Sequence, residues 1–342
     1  MTQSFDYEKL RSEISKEFGI QPNKCLLSLD EHSLYEDVIP TGILSLDIAL
    51  GVGGYPKGRI VEIYGANSVG KTLLCLAALA QTQKAIPDIP CAFLDVEQTF
   101  SREWANKNGV LTDKDHLLFF QPDYAEQALE LVEILARNSV PLIVIDSIAA
   151  LSPKIETDQE YSDSNIGLVA RLLTKACRRF PPIISETGTI IIFTNQVRDK
   201  IATGRPGFGG PLTTTPGGHA LRHAASIRLS LYSSSESTMK DEDGNVDGKN
   251  INITVVKNKV GPPSKTCKFT LDFQQGIDPI RILIEMAIDG NIIKKSGTWF
   301  TFDEKMAIAD KFHGKDNMLS FLKQNENLIP ILEQDVRTKY DL

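Results

Sequence analysis

The chain has 342 residues, 42% of them hydrophobic and 24% charged, which suits roughly two globular domains of ordinary composition. That length and composition exclude a disulfide-stapled miniprotein and a mainly disordered or fibrous chain, and a formal net charge of −7 argues weakly against a nucleic-acid partner. No apolar run reaches the ~20 residues of a membrane span and the N-terminus does not resemble a signal peptide, so we expect a cytoplasmic protein with no membrane partner.

The first predicted element is a short amphipathic helix over residues 6–18. Leu10, Ile14 and Phe18 recur at a spacing of four on an otherwise charged surface. The spacing leaves open whether this apolar stripe docks on the chain's own core or on another subunit.

From Arg59 onward, apolar runs alternate with helical segments in βαβ order: RIVEIYG, TLLCLAALAQTQ, CAFLDVE, HLLFF, YAEQALELVEILARN and PLIVIDSIAAL. Continuous apolar runs indicate strands buried on both faces, so we predict an α/β fold with a largely parallel central sheet. A helix from Ser164 to Phe180 follows, which Pro181 and Pro182 should end or kink, and then the strand GTIIIFTNQ.

The later segments ASIRLSLY, NITVVKNK and CKFTLDF alternate more evenly between apolar and polar residues. They predict an antiparallel extension of the sheet. From about residue 276, short helices and a hairpin around GTWFTFDE predict a small α+β C-terminal domain.

The strongest motif is GxxxxGKT at Gly65, Ala66, Asn67, Ser68, Val69, Gly70, Lys71 and Thr72. It follows one predicted strand and opens a helix, which is the context of a phosphate-binding P-loop. Backbone N–H groups there can hold a polyphosphate such as ATP, while Lys71 reaches its outer oxygens and Thr72 ligates Mg²⁺.

Polar residues at the ends of three other predicted strands complete the expected site. Asp146 ends PLIVID, which we expect to neighbour the P-loop strand, and it should hold Mg²⁺ through water, although a helix-capping role stays open. Asp95 and Glu97 end CAFLDVEQ two residues apart and so on the same side of that strand, close to the terminal phosphate if the strand neighbours the P-loop strand. Glu97 is the candidate general base, with a surface acid as the alternative. Gln196 could sense the terminal phosphate.

A basic stretch lies inside this acidic chain. From Arg171 to Ser235 nine Lys or Arg residues stand against two acids. The segment after Gln196 is rich in glycine and proline, and with its basic residues it suits a nucleic-acid phosphate track, with a flexible surface loop as the alternative.

The order and spacing of these motifs resemble the bacterial RecA recombinase family over nearly the whole chain. The matching stretches are IPTGILSLDIALGVGGYPKGRIVEIYG, QPDYAEQALE, LIVIDSIAALSPK, TNQVRDKI, TTTPGGHALR and VVKNKVGPP. The resemblance implies a P-loop RecA-like core over residues 39–275, an N-terminal helix and linker over 1–38 that dock on the adjacent subunit, and a C-terminal domain over 276–342.

The function that the resemblance implies is a DNA-stimulated ATPase that forms a helical filament on single-stranded DNA, pairs it with homologous duplex DNA, and acts in repair and the SOS response. Single-strand-binding and loader proteins are further implied partners. The same resemblance adds Leu73, Trp104 and Phe273 to the nucleotide site, and makes Lys257 and Lys259 reach the neighbour's phosphates. The resemblance further implies two DNA-binding loops, at about residues 156–165 and 199–216. The implied DNA-contacting positions are Ile166, Gly167, Arg171, Thr174, Arg178, Arg198, Lys200, Gly217, Gly218 and His219.

The chain also departs from the family pattern. Trp104 and Phe273 stand where tyrosines are usual, Ser101 replaces an aspartate expected at the adenine, and His223 replaces a phenylalanine thought to couple ATP to DNA. These departures are typical of a divergent member, such as one carried by a phage or mobile element. They leave two other functions open: an ATP-gated DNA-coating filament with little hydrolysis, and a ring helicase on the same core.

Overall fold

The computed structural model describes residues 6–19, 37–158, 167–199, 213–214, 216–233, 238–240, 246–302 and 311–342. The chain divides into two compact units, residues 1–37 and 38–342. In the first, helix α1 spans Tyr7–Phe18, close to the predicted bounds. The Asp6 carboxylate caps it by accepting a hydrogen bond from the Lys9 N–H at 3.0 Å, and Gly19 ends it in the left-handed conformation.

The second unit contains, among its described residues, one large mixed sheet and three small sheets. Its described strands are β1 Val38–Ile39, β2 Tyr55–Pro56, β3 Ile60–Gly65, β4 Cys91–Asp95, β5 Leu117–Phe120, β6 Leu142–Asp146, β7 Ile190–Gln196, β8 Arg198–Asp199, β9 Thr213–Thr214, β10 Ile227–Tyr232, β11 Thr238–Lys240, β12 Val246–Asn258, β13 Thr266–Asp272, β14 Gly276–Ile277, β15 Ile293–Ser296, β16 Trp299–Phe302 and β17 Lys311–His313. Its described α-helices are α2 Leu44–Leu50, α3 Lys71–Ala85, α4 Arg102–Lys107, α5 Ala125–Arg137, α6 Lys154–Asp158, α7 Leu168–Thr187, α8 Gly218–Ala224, α9 Pro279–Asp289, α10 Lys315–Gln324 and α11 Ile329–Lys339.

Strand order in the large sheet is β14-β13-β12-β10-β3-β7-β6-β4-β5, with β11 paired to β12. The strands from β10 to β5 are parallel, and β12, β13 and β14 extend the sheet antiparallel, so both predictions are confirmed. The strand carrying Asp95 does not neighbour the phosphate-loop strand, however, because β7 and β6 lie between them. Local sequence patterns do not specify this order, which depends on how the crossover helices pack.

Helices cover both faces of the sheet, and each face has its own apolar core. Helices α2, α3 and α9 pack on the face that carries Ile63 and Leu229. Helices α5, α7 and α8 pack on the opposite face, which carries Ile60 and Phe193. The first core continues into the C-terminal segment, where α10, α11 and the small β15–β17 sheet bury Phe300, Met318 and Leu332.

Helix α7 continues through Pro181 and Pro182 to Thr187. Of the two predicted effects of these prolines, an end or a kink, the end at Phe180 is therefore wrong. Both prolines are exposed, whereas Phe180 before them and Ile184 after them are buried in the second core. Burial of this apolar face stabilises the helix against the lost backbone hydrogen bonds, since tertiary packing outweighs intrinsic propensity.

A β-bulge changes the direction of side chains along β12. Arg228 of β10 lies opposite Lys257, but the next residue, Leu229, lies opposite Val255, so Val256 is an extra residue in β12. A one-residue shift moves the following side chains to the other face of a sheet. Ile251 and Val255 consequently face the α3 core, while Lys257 projects beside Arg228 on the α8 face.

Among the described residues, no helix combines the length and apolar character that crossing a membrane requires.

Candidate functional site

The phosphate loop joins β3 to α3 at the carboxyl end of the parallel strands. Gly70 takes a φ of 100°, and a Cβ there would lie 2.7 Å from Ile251 Cδ1. At Gly65 a Cβ would lie 2.4 Å from the Leu231 carbonyl oxygen. The loop is thus held against β10 and β12 at positions where only glycine fits, which leaves its N–H groups available to a ligand.

Lys71 lies across this loop rather than in solvent. Its Nζ donates to the carbonyl oxygens of Ala66 at 2.7 Å and Gly65 at 3.3 Å. The side chain is 8% exposed, and burial lowers the pKa of the ammonium, while the carboxylates of Asp146 and Glu97 oppose that shift. A cation held on carbonyl oxygens, beside the buried carboxylate of Asp146 and the half-buried one of Glu97, is suited to a phosphate.

Asp146 and Thr72 form the oxygen-rich corner of the pocket. Thr72 Oγ1 donates to Asp146 Oδ2 at 2.5 Å, and the Thr194 hydroxyl donates to Oδ1. Burial raises the pKa of the Asp146 carboxyl, and the two hydroxyl bonds oppose it. Strand β6, which positions Asp146, is separated from β3 by β7, so it is not the adjacent strand. Carboxylate and hydroxyl oxygens are the hard ligands that Mg²⁺ prefers, so these two residues fit that ion.

Glu97 and Gln196 are in direct contact. Gln196 Nε2 donates to Glu97 Oε1 at 3.0 Å, and the Ser147 hydroxyl donates to the same oxygen. Asp95 does not share this position, because β4 ends there and its carboxylate accepts from the N–H groups of Thr99 and Phe100. The expectation that both acids share one side is therefore wrong.

These residues line one cleft of about 620 Å³, a size suited to a nucleotide. Trp104 and Phe273 are among its lining residues, and Ser101 accepts from the Trp104 N–H at 3.2 Å as the N-cap of α4. The lining comprises Asn67, Ser68, Val69, Gly70, Lys71, Thr72, Leu73, Glu97, Thr99, Trp104, Asp146, Gln196, Lys249, Leu271 and Phe273. Ala66 takes part through its carbonyl oxygen, as described above.

A buried polar network that the sequence argument missed lies beside this cleft. Asn195 Nδ2 donates to Glu62 Oε1 and to the Pro216 carbonyl oxygen, each at 3.0 Å. The other Glu62 oxygen accepts from Arg228 Nε at 2.5 Å, and Glu62 is fully buried. A charged residue inside the apolar run RIVEIY was the available signal, since a buried acid requires a partner. Asn195 therefore joins the end of β7, next to Gln196, to the chain that leads into α8.

Lys257 and Lys259 lie on the end of helix α8. Lys257 Nζ donates to the carbonyl oxygens of Arg222 at 2.7 Å and His223 at 3.0 Å, and Lys259 Nζ donates to that of His223 at 3.3 Å. Burial lowers the pKa of Lys257 to about 8, with contributions from the charges of Lys259 and Arg228. Within the described chain these lysines thus neutralise the negative end of α8.

The structure brings the beginnings of α7 and α8 together. A Cβ at Gly217 would lie 2.8 Å from Leu173 Cδ1, and one at Gly218 would lie 3.4 Å from Ala170 Cβ. Gly167, the N-cap of α7, is exposed. The first turns of these two helices therefore lie against each other.

Of the predicted DNA-contacting side chains, those of Arg171, Arg178 and His219 are exposed, whereas the Thr174 hydroxyl donates to the Ala170 carbonyl oxygen at 2.6 Å. Arg198 pairs through its backbone with Thr214. Ile166 and Lys200 lie outside the described residues, as does most of both predicted DNA loops, residues 156–165 and 199–216.

Comparison with known proteins matches the chain to two family models, the RecA N-terminal domain over residues 7–278 and the RecA C-terminal domain over residues 282–341. The chain is 43% identical to Protein RecA of Geobacter metallireducens, across 95% of this chain and 91% of the relative. It is 44% identical to Protein RecA of Streptomyces coelicolor, across 89% of this chain and 77% of the relative. With Protein RecA of Clostridium acetobutylicum the identity is 40%, across 98% of this chain and 94% of the relative.

Proposed function

The chain belongs to the RecA family, and from that premise we propose that it is a DNA-stimulated ATPase that assembles on single-stranded DNA and exchanges it with a homologous duplex. Proteins of this family are ATP-dependent recombinases that form filaments on single-stranded DNA. The observation that carries the proposal is the Gln196–Glu97 contact, because it joins the ATP cleft to the strand that leads toward the second DNA loop.

The nucleotide binds with its phosphates along the glycine-bracketed loop. Lys71 leaves the carbonyl oxygens of Gly65 and Ala66 for the outer phosphates, where an anion is the stronger acceptor. Thr72 and Asp146 would hold Mg²⁺, which when bound neutralises developing charge on the phosphates. Trp104 and Phe273 offer aromatic faces to the base.

Glu97 is the proposed general base. Its contacts with Ser147 and Gln196 both use Oε1, so Oε2 can take the proton of an attacking water while the side chain stays oriented. Gln196 senses the terminal phosphate. When its amide moves to bind that phosphate, its hydrogen bond to Glu97 breaks. Asn195 carries the displacement to the Pro216 carbonyl and so to the start of α8.

Lys257 and Lys259 are proposed to act on the neighbouring subunit's phosphates. In the isolated chain their ammonium groups lie on the carbonyl oxygens that end α8. When a neighbour's nucleotide draws them away, α8 loses the cations at its negative end. Nucleotide bridging two subunits is thereby coupled to a helix that also carries Arg222 and His219, which we place on the DNA track.

The remaining parts of the proposal rest on the family resemblance. They are a division into residues 1–38, 39–275 and 276–342, docking of α1 on the adjacent subunit, and a cytoplasmic location. Loader and single-strand-binding proteins are proposed partners, and an origin in a phage or mobile element stays a prediction.

The decisive experiment is steady-state ATP hydrolysis without DNA, with single-stranded DNA and with duplex DNA, at two salt concentrations. We expect strong stimulation by single strands. Hydrolysis that ignores DNA contradicts the coupling, tight DNA binding without hydrolysis favours the coating filament, and closed rings that unwind duplexes favour the helicase.

Replacement Glu97→Gln tests the base in the same assay. Losing the carboxylate should lower turnover by about 10²- to 10⁴-fold while ATP and DNA still bind. The exposed acid Glu130 offers a matched control, Glu130→Gln, which should turn over normally. Unchanged turnover of Glu97→Gln would remove Glu97 from the chemistry.

A further inference from the structure

Strand β12 places a lysine, Lys249, at the nucleotide cleft. Its neighbour two residues along, Ile251, packs against Gly70 of the phosphate loop. Alternate residues of a strand lie on the same face, so Lys249 continues that face along the loop. There its Nζ donates to the carbonyl oxygen of Ser68, in the middle of the loop.

The surroundings of Lys249 are those of a cation that lacks an anion. Burial lowers the pKa of its ammonium, and no carboxylate in the described part of the chain opposes that shift. Within the described residues no salt bridge involves Lys249, and its Nζ lies 5.9 Å from the centroid of the Phe273 ring. Lys71, on the same loop, likewise rests on carbonyl oxygens, but beside two carboxylates.

We propose that Lys249 is a second phosphate-binding lysine of this cleft, and that it contacts the phosphate nearest the ribose. It lies between Ser68 and Phe273, on the base side of the cleft, whereas Lys71 lies beside Asp146 and Glu97, where the terminal phosphate is expected. A phosphate oxygen is a better acceptor for an ammonium than a peptide carbonyl, so the ligand displaces the Ser68 contact. The inference rests on the proposed ATPase function.

The position of the contact decides which ligands respond to it. The phosphate nearest the ribose is present in ATP, ADP and AMP alike, so an interaction with it strengthens binding of all three to the same extent. Adenosine lacks this phosphate, so replacing Lys249 should leave the affinity for adenosine unchanged.

The experiment is titration calorimetry of the full chain with ATP, ADP, AMP and adenosine. We expect Lys249→Met to weaken the three phosphorylated ligands by one common factor of about ten, with adenosine unchanged. Lys249→Arg should restore most of the affinity because it keeps the charge. Lys268→Met, at an exposed position on the adjacent strand β13, is the matched control and should bind as the wild type.

The outcomes distinguish a failure of the Lys249 inference from a failure of the proposed ATPase function. Unchanged affinities, a loss confined to ATP, or an equal loss for adenosine would overturn the role of Lys249 while the ATPase stands. A wild-type chain that binds none of the phosphorylated ligands would overturn the proposed function itself. A thermal melt checks folding, and if Lys249→Met melts early, Lys249→Gln takes its place.

Discussion

Two regions of the molecule present lysine ammonium groups to backbone carbonyl oxygens. In the nucleotide cleft, Lys71 and Lys249 lie on the phosphate loop of their own chain. At the end of α8, Lys257 and Lys259 lie on a helix terminus at the surface. The proposals give the two pairs different roles. The first pair, inside the nucleotide cleft, is proposed to set nucleotide affinity, and the second pair, which would leave α8 for a neighbour's phosphates, is proposed to set the hydrolysis rate.

The largest expected effect separates these two roles. Replacing both surface lysines, Lys257→Met with Lys259→Met, should lower DNA-stimulated hydrolysis by about 10³-fold, because cations supplied from a neighbour stabilise the transferring phosphoryl group. ADP affinity of the dilute chain should not change. Calorimetry and steady-state rates measure the two quantities, with the exposed Lys265→Met as control. Loss of ADP affinity would contradict the division between the pairs.

A smaller effect is expected where the two regions are linked. Asn195→Ala breaks the bonds to Glu62 and Pro216, so the ratio of hydrolysis rates with and without single-stranded DNA should fall about tenfold. Asn138→Ala, at the exposed end of α5, removes the same amide elsewhere and should keep the ratio. A preserved ratio in Asn195→Ala would mean that the coupling takes another route.

The smallest expected effect is a pH dependence of the surface pair. The pKa of Lys257 is lowered to about 8, so its ammonium loses the proton as the pH rises through that value, and its hold on phosphate weakens. DNA-stimulated hydrolysis should therefore decline a few-fold between pH 7 and 9, since a bound phosphate favours the charged form and limits the loss. Lys257→Arg keeps its charge and should flatten the profile. An identical decline in both proteins would assign the titration to another group.

The parts of this molecule that local sequence determines were predictable. The strand, glycine loop and helix around Lys71 follow from a contiguous motif, and the buried strands follow from apolar runs. The order of strands was not predictable, because it depends on which helices cross which face. Hence the position of β4, separated from β3 by the two strands β7 and β6, appeared only in the structure.

Residues whose role depends on register were also missed. The predicted strand NITVVKNK begins at Asn252, whereas β12 begins at Val246, so Lys249 fell outside it. Extending the alternation of Ile251, Ile253 and Val255 by one step would have found it. The contact of Asn195 with Pro216 joins residues across the second predicted loop, and sequence alone offers no measure of that closure.

Because of the bulge at Val256, the number of residues in β12 determines the direction in which its lysines point. Lys249 and Lys257 are eight positions apart, an even offset that in a regular strand would place both on one face. The extra residue sends them to opposite faces, one toward the phosphate loop and one toward α8. A deletion or insertion of one residue between them would hardly change the composition, but it would move one lysine to the other face of the sheet. We therefore expect natural variation in this strand to exchange residues rather than change their number.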